Sequence, residues 1–191
     1  MLEKINTFSA NSLKTLDKSL DEFIDVYEYN LKLFKKDSRA DLGQKYHNLI
    51  CAYIKGFDIE KMKKELDEEK IKVFDNFIKT IEKDKFIKTE YPFLIKDELN
   101  KKPYYLTGRF DAIYKDKEGY TIYDWKTVNI PKDPQDDLQS IVYLYCASKI
   151  FESENIKMKY VTIEKSDYVE VEYKKGLKEK IDSVIAKYYK N

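Results

Sequence analysis

Residues 108–126 read GRFDAIYKDKEGYTIYDWK, and the fold follows from how this stretch pairs with itself. Gly108 to Lys115 and Tyr120 to Lys126 are rich in aromatic and β-branched residues, and the Asp116-Lys117-Glu118-Gly119 cluster between them favours a turn. The pattern predicts a hairpin. With its centre between Lys117 and Glu118, Phe110 faces Trp125, Ala112 faces Tyr123, Ile113 faces Ile122 and Asp111 faces Asp124. A bulge at Gly119 would slip the register by one and set Asp111 opposite Trp125. The first register is preferred, because alternation then gathers Phe110, Ala112, Tyr114, Tyr123 and Trp125 on one apolar face and leaves both acids on the other. Lys126, two residues beyond Asp124, shares the face of the acids.

Two like charges opposed on neighbouring strands, ~5 Å apart at Cβ, destabilise a sheet unless a counter-charge lies between them. A divalent cation meets that need. Carboxylate oxygens suit hard ions such as Mg²⁺ or Mn²⁺, which keep waters for a phosphate and a nucleophile. An ammonium beside them positions or deprotonates the attacking water and stabilises the charge of a phosphorane. The alternative is a solvated acid pair on an open sheet face, since D-x-K tripeptides are common.

At 191 residues the chain has the length of one domain, with a mainly helical part over 1–85 and a sheet core with a closing helix over 86–191. Its 36 basic and 35 acidic residues cancel, so any surface for nucleic acid has to be local. The opening Met1-Leu2-Glu3-Lys4 lacks the apolar core of a signal peptide, and no run approaches the ~20 apolar residues of a membrane span. An intracellular, cytoplasmic protein with no membrane partner is expected. Cys51 and Cys146 stand far apart, without the spacing of a zinc site, and are expected to be buried free thiols.

Ser9 to Ser12 offers capping residues before a long first helix running to about residue 35, with Leu13, Leu16, Leu20, Phe23, Ile24, Tyr27, Leu31 and Phe34 on its apolar side. A second helix spans about Ala40 to Lys55, stopped by Gly56, and a third about Asp58 to Lys83. A strand over Phe86 to Ile95 follows, placed at an edge or bulge by Pro92. After the hairpin come a buried helix from Gln135 to Phe151, strands over Lys159 to Ile163 and Tyr168 to Tyr173, and an amphipathic helix from Leu177 to Tyr189. This order predicts an α/β fold, a mixed central sheet flanked by helices behind an N-terminal helical segment.

Further candidates are His47, the one histidine in the sequence; Glu90, a third carboxylate beside the hairpin; and Gln139 with Tyr143, four apart on one face of the buried helix. Each also has a plain structural reading, as a packed imidazole, a solvated edge acid, an incidental amide and a core tyrosine. The 17 tyrosines and 10 phenylalanines fall mostly at core-periodic positions, so packing takes precedence over base stacking.

Taken in order, Leu42-Gly43 with His47, Glu90-Tyr91-Pro92-Phe93, Gly108-x-x-Asp111, Asp124-Trp125-Lys126 and Gln139-x-x-x-Tyr143 resemble the RecB-like exonuclease branch of the PD-(D/E)XK nuclease superfamily. Phe8 to Leu13 is similar to the entry segment of that branch. The resemblance spans about residues 8–145 and implies a restriction-endonuclease-like core that hydrolyses DNA with Mg²⁺ or Mn²⁺. It implies that His47, Asp111, Asp124 and the main-chain carbonyl of Trp125 bind metal, with Glu90 as a further acid near the ions. Lys126 would assist the water, while Gln139 and Tyr143 would contact nucleic acid or order the site. Phe110 replaces the proline of the family name. The cysteines that hold an iron–sulfur cluster in many relatives are missing, so no cluster is expected. No helicase motif is present, so a motor or defence-complex partner would be a separate chain. A nucleic-acid-binding module of the same fold, inactive or active only in a complex, is the alternative, kept open by the near-zero net charge, because tight DNA binding usually needs a basic surface.

Overall fold

The computed structural model describes residues 4–31 and 38–190. Its centre is a mixed six-stranded sheet of β1 (Thr7–Ser9), β2 (Phe86–Leu99), β3 (Lys102–Lys115), β4 (Tyr120–Lys126), β5 (Ile156–Thr162) and β6 (Asp167–Glu172). The order is β1-β3-β4-β5-β6, with β2 along the other side of β3. Pairing is antiparallel for β2/β3, β3/β4 and β5/β6, and parallel for β1/β3 and β4/β5. Pro92 has no N–H to give and lies, as expected, on an edge strand.

Helices cover both faces. One face is packed by α1 (Ala10–Lys18), α6 (Leu138–Phe151) and α7 (Leu177–Tyr189), which close over Ile113, Ile122 and Met158. The opposite face receives α3 (Ser38–Ile54) and α5 (Glu68–Ile78), whose Tyr46, Ile50, Phe74 and Phe77 meet Ala112 and Trp125. The remaining helices, α2 (Leu20–Phe23) and α4 (Glu60–Lys63), are single turns. Among the described residues no helix is long and apolar enough to cross a membrane.

Local chemistry sets the boundaries. Ser9 caps α1 through a reciprocal pair with Ser12, and Asp67 and Asp137 cap α5 and α6. The long first helix is instead broken. Ser19 is extended (φ −157°), closes α1 with its own N–H and caps α2 with its hydroxyl, after which Ile24–Glu28 forms a π-helical turn. Leu31 lies beyond that turn and is exposed, and Phe34 falls outside the described residues. The expected helix over 58–83 is likewise two pieces, because Asp67 serves as a new cap. The added strand β1 was hidden in the capping segment. Gly56, at φ +78°, follows α3 as expected. Cys146 is buried, whereas Cys51 is only half-buried beside Thr89.

The hairpin adopts the preferred register, with Ala112 opposite Tyr123 and Ile113 opposite Ile122. The grouping of its aromatics differs at one residue. Phe110 lies on the α6 face, 4.6 Å from the Phe93 ring and 5.3 Å from Tyr143, while Ala112, Tyr123 and Trp125 belong to the α3 face. The change of side falls beside Glu90 in the neighbouring strand, which has φ +51°. A left-handed residue reverses the side on which later side chains emerge. Thr89 therefore meets Cys51 on α3, whereas Tyr91 and Phe93, of the same parity, pack with Phe110. Gly108 faces Phe93 across the ladder, and a Cβ there would lie 2.5 Å from the ring.

Away from the hairpin, Asp97 ties β2 to two helices. It accepts hydrogen bonds from the Tyr145 hydroxyl and the Glu98 amide, and Lys178 of α7 lies 3.4 Å away. Burial alone would raise this carboxyl, but those partners outweigh it and hold it below the usual aspartate range. A depressed folded pKa contributes stability above the unfolded value, ~3.9, and the contribution disappears as pH falls through the folded value. Asp97→Asn should therefore cost about 1 kcal/mol at pH 7 and almost nothing once the wild-type carboxyl is protonated. Urea titrations across that range test it; a cost that does not change with pH would refute the linkage.

Candidate active site

Three elements bring the candidate residues together. On α3, Gly43, His47 and Cys51 form a stripe at four-residue spacing that crosses the sheet. A Cβ on Gly43 would sit 3.4 Å from Thr127 Oγ1, just past β4; His47 reaches β3 and β4; Cys51 meets Thr89 of β2. His47 Nε2 lies 2.9 Å from the Trp125 carbonyl oxygen and Nδ1 3.5 Å from Asp111 Oδ1.

Backbone pairing between β3 and β4 ends at Ala112 and Tyr123, one step before the acids. The next link is made by a side chain: the Trp125 amide donates to Asp111 Oδ2 at 2.8 Å. Asp111 thus holds the strand end with one oxygen and faces His47 with the other. Ligand atoms of His47, Glu90 and Asp111 all lie within 4.8 Å of one another.

Asp124 is not in that triad. Gln139 Nε2 donates to its Oδ1 at 2.5 Å, and Lys126 Nζ lies 2.7 Å from Oδ2 without the alignment of a hydrogen bond, so Oδ2 is buried with acceptor capacity unused. Lys126 donates to Gln139 Oε1 at 3.2 Å, and its ammonium stands over the Tyr160 ring. One amide therefore spans the acid and the lysine. Tyr143 donates to the main-chain oxygen of Arg109 at 3.0 Å, and Arg109 Nε pairs with Glu90 Oε2 at 2.8 Å.

Electrostatics follow from this crowding. Burial pushes the Asp124 carboxyl up, to about 6, with Lys126 opposing and Asp111 adding to the rise. Burial also raises Glu90, against the pull of Arg109. For His47 burial favours the neutral ring, but Asp111, the Trp125 carbonyl and Asp124 outweigh it and place the pKa above the ordinary histidine value. Burial keeps the Tyr143 phenol protonated, so it stays a donor.

A cavity of about 540 Å³ lies elsewhere, between the hairpin tip and β6. Its lysines are answered by glutamates, Lys159 by Glu170 at 3.6 Å and Lys157 by Glu172 at 4.0 Å, and none of the clustered acids lines it. Charge convergence, rather than volume, identifies the site.

A family model of the PD-(D/E)XK nuclease superfamily matches residues 76–190, a span that holds both hairpin acids, Lys126, Glu90, Gln139 and Tyr143. The chain belongs to the PD-(D/E)XK nuclease superfamily. His47 lies outside the matched span and joins the site through α3. Among solved structures, the crystal structure of SSO0001 is similar over 100% of this chain and 78% of that one, with a TM-score of 0.57 and 17% identity, a likeness of fold. No curated protein matches. Nucleases of the superfamily use divalent metals and act on nucleic acid, and the His47/Glu90/Asp111 triad of this PD-(D/E)XK chain offers the donors such an ion needs. Arg109, paired with Glu90, is the neighbour of the cluster that sequence reading missed; its position inside Gly108-x-x-Asp111 was the available signal.

Proposed function

We propose that this chain is a metal-dependent deoxyribonuclease of the RecB-like branch, exonuclease-like, hydrolysing DNA phosphodiesters with Mg²⁺ or Mn²⁺. The observation that carries the reading is the convergence of His47 from a helix with Glu90, Asp111 and the Trp125 carbonyl, next to Asp124 and Lys126. The unused Oδ2 of Asp124 and the oxygen-rich donor set fit a hard divalent ion. His47, Glu90, Asp111, Asp124 and the Trp125 carbonyl would hold it. When bound, the ion supplies Lewis-acid activation of water and charge neutralisation at the phosphate.

The residues of the chain do the rest. Lys126, held by Asp124 and Gln139, orients the attacking water and offers positive charge to the phosphorane oxygens. Gln139 keeps the acid and the ammonium in register, and Tyr143 fixes the backbone beside Asp111; both act by ordering the site. A separate helicase or defence complex would supply the threaded strand.

The test is direct. With Mn²⁺ the purified protein should degrade linear DNA, EDTA should stop it, and Asp111→Ala should remove both cleavage and Mn²⁺ uptake in calorimetry. Metal binding without cleavage of any nucleic acid would establish the binding module instead.

A further inference from the structure

The clustered acids create a problem for a polyanionic substrate: Glu90, Asp111 and Asp124 repel phosphate from one side of the site. Lys126 answers this on the far side, where it is already committed to Asp124 and Gln139. On the β2 side Arg109, one of only two arginines in a sequence that otherwise uses lysine, pairs with Glu90, and the charge of Lys55 also reaches that carboxylate.

Arg109 is held more firmly than a surface arginine needs to be. Its main-chain oxygen accepts the Tyr143 hydroxyl, and Tyr143 is itself wedged edge-on against Phe93 and Phe110, at 5.7 and 5.3 Å. Its Nε pairs with Glu90 Oε2 at 2.8 Å, and Glu90 is the less exposed partner, at 21% against 53%. Among the described residues the guanidinium has no second acidic partner. The backbone is fixed and Nε lies against Glu90, while about half of the side chain is exposed. A guanidinium carries five N–H donors in a planar fork, and pairing at Nε leaves the geometry that takes phosphate oxygens two at a time. Arg109 stands two strand positions, about 7 Å, from Asp111.

We propose that Arg109 is a phosphate-binding residue: Glu90 and Tyr143 hold it in place, and its outer fork takes a non-scissile phosphate of the bound strand. Glu90 then has two duties, one toward the metal triad and one toward the arginine, which couples strand binding to the geometry of the site. This inference rests on the nucleic-acid reading above, and its test separates the two.

The measurement is fluorescence anisotropy of labelled single-stranded and duplex DNA in EDTA, so that neither cleavage nor metal affinity enters. Arg109→Gln should weaken binding roughly tenfold, as loss of one charge-assisted contact does, and should flatten the dependence of log affinity on log salt by about one phosphate. Arg109→Lys keeps the charge and should restore the salt dependence but only part of the affinity. Lys117→Gln, which removes the same charge from the hairpin tip, should leave binding near wild type. Circular dichroism melts confirm that each variant is folded, and Arg109→Lys carries the test if Arg109→Gln is not. Unchanged binding by Arg109→Gln, an equal loss in Lys117→Gln, or wild-type protein that binds neither DNA would overturn the proposal. If wild type cleaves with Mn²⁺ while Arg109→Gln binds normally, the nuclease reading stands and the arginine proposal falls. If binding depends on Arg109 but wild type never cleaves, the reverse holds.

Discussion

Lys126→Met should lower Mn²⁺-supported DNA cleavage by a factor on the order of 10³, the usual cost of losing a preorganised charge at a developing oxyanion. Methionine keeps an unbranched stem and deletes only the ammonium that stands over the Tyr160 ring. Two partners then change. Asp124 Oδ2 loses the sole cation within ion-pair distance among the described residues, and Gln139 Oε1 loses its donor. Neither change removes a metal donor, so calorimetry should show Mn²⁺ affinity within a few-fold of wild type. A variant that still cleaves at a tenth of the wild-type rate or better would show that Lys126 only neutralises Asp124, and the proposed mechanism would lose its water-orienting group.

Asp124→Asn should have the opposite signs in two assays. Activity should fall by on the order of 10³ or more, because an amide is a poor ligand and carries no charge to balance Lys126. Stability of the metal-free protein should rise, by about 1 kcal/mol. The wild-type carboxylate is buried, has Asp111 nearby and keeps one oxygen without an aligned donor, so its charged form is held at a cost. Asparagine is nearly isosteric, needs no counter-charge, and can turn its carbonyl toward Gln139 Nε2. Thermal melts in EDTA at neutral pH decide it: a lower melting temperature than wild type would mean that the Lys126 pairing more than offsets desolvation. Such a trade, stability given up where chemistry requires a charge, is what an active site carries and an inert scaffold does not.

Much of this was legible in the residues. The hairpin register followed from alternation and turn chemistry, which act locally, and so did the caps at Ser9 and the final helix over Leu177–Tyr189. The mixed sheet flanked by helices followed from the order of periods. What failed was also local chemistry, read too coarsely. Ser19 and Asp67 sit inside apolar periods long enough for one helix, and only their side chains' capture of backbone amides splits each into two. Phe110 was assigned to the wrong face because alternation fails between Phe110 and Ala112, beside the left-handed Glu90 of another strand, and no pattern within the hairpin carries that information. The approach of His47 to Asp111 was implied only by resemblance. Its physical basis is where α3 crosses the sheet, a matter of tertiary packing that no local pattern carries.

Glu90 is also a strained residue. Backbone at φ +51° suits glycine, and a side-chain-bearing residue holds it at a cost of roughly 1–3 kcal/mol. A glycine there would let β2 cross from one core to the other with less resistance. It would also leave Arg109 unpaired and remove one corner of the His47/Glu90/Asp111 triangle. The residue that the backbone favours and the residue that the proposed site uses are therefore different, and the protein carries the latter. A strained position in the middle of a strand thus acts as a marker of use: it can be found from backbone angles alone, before any charge is counted.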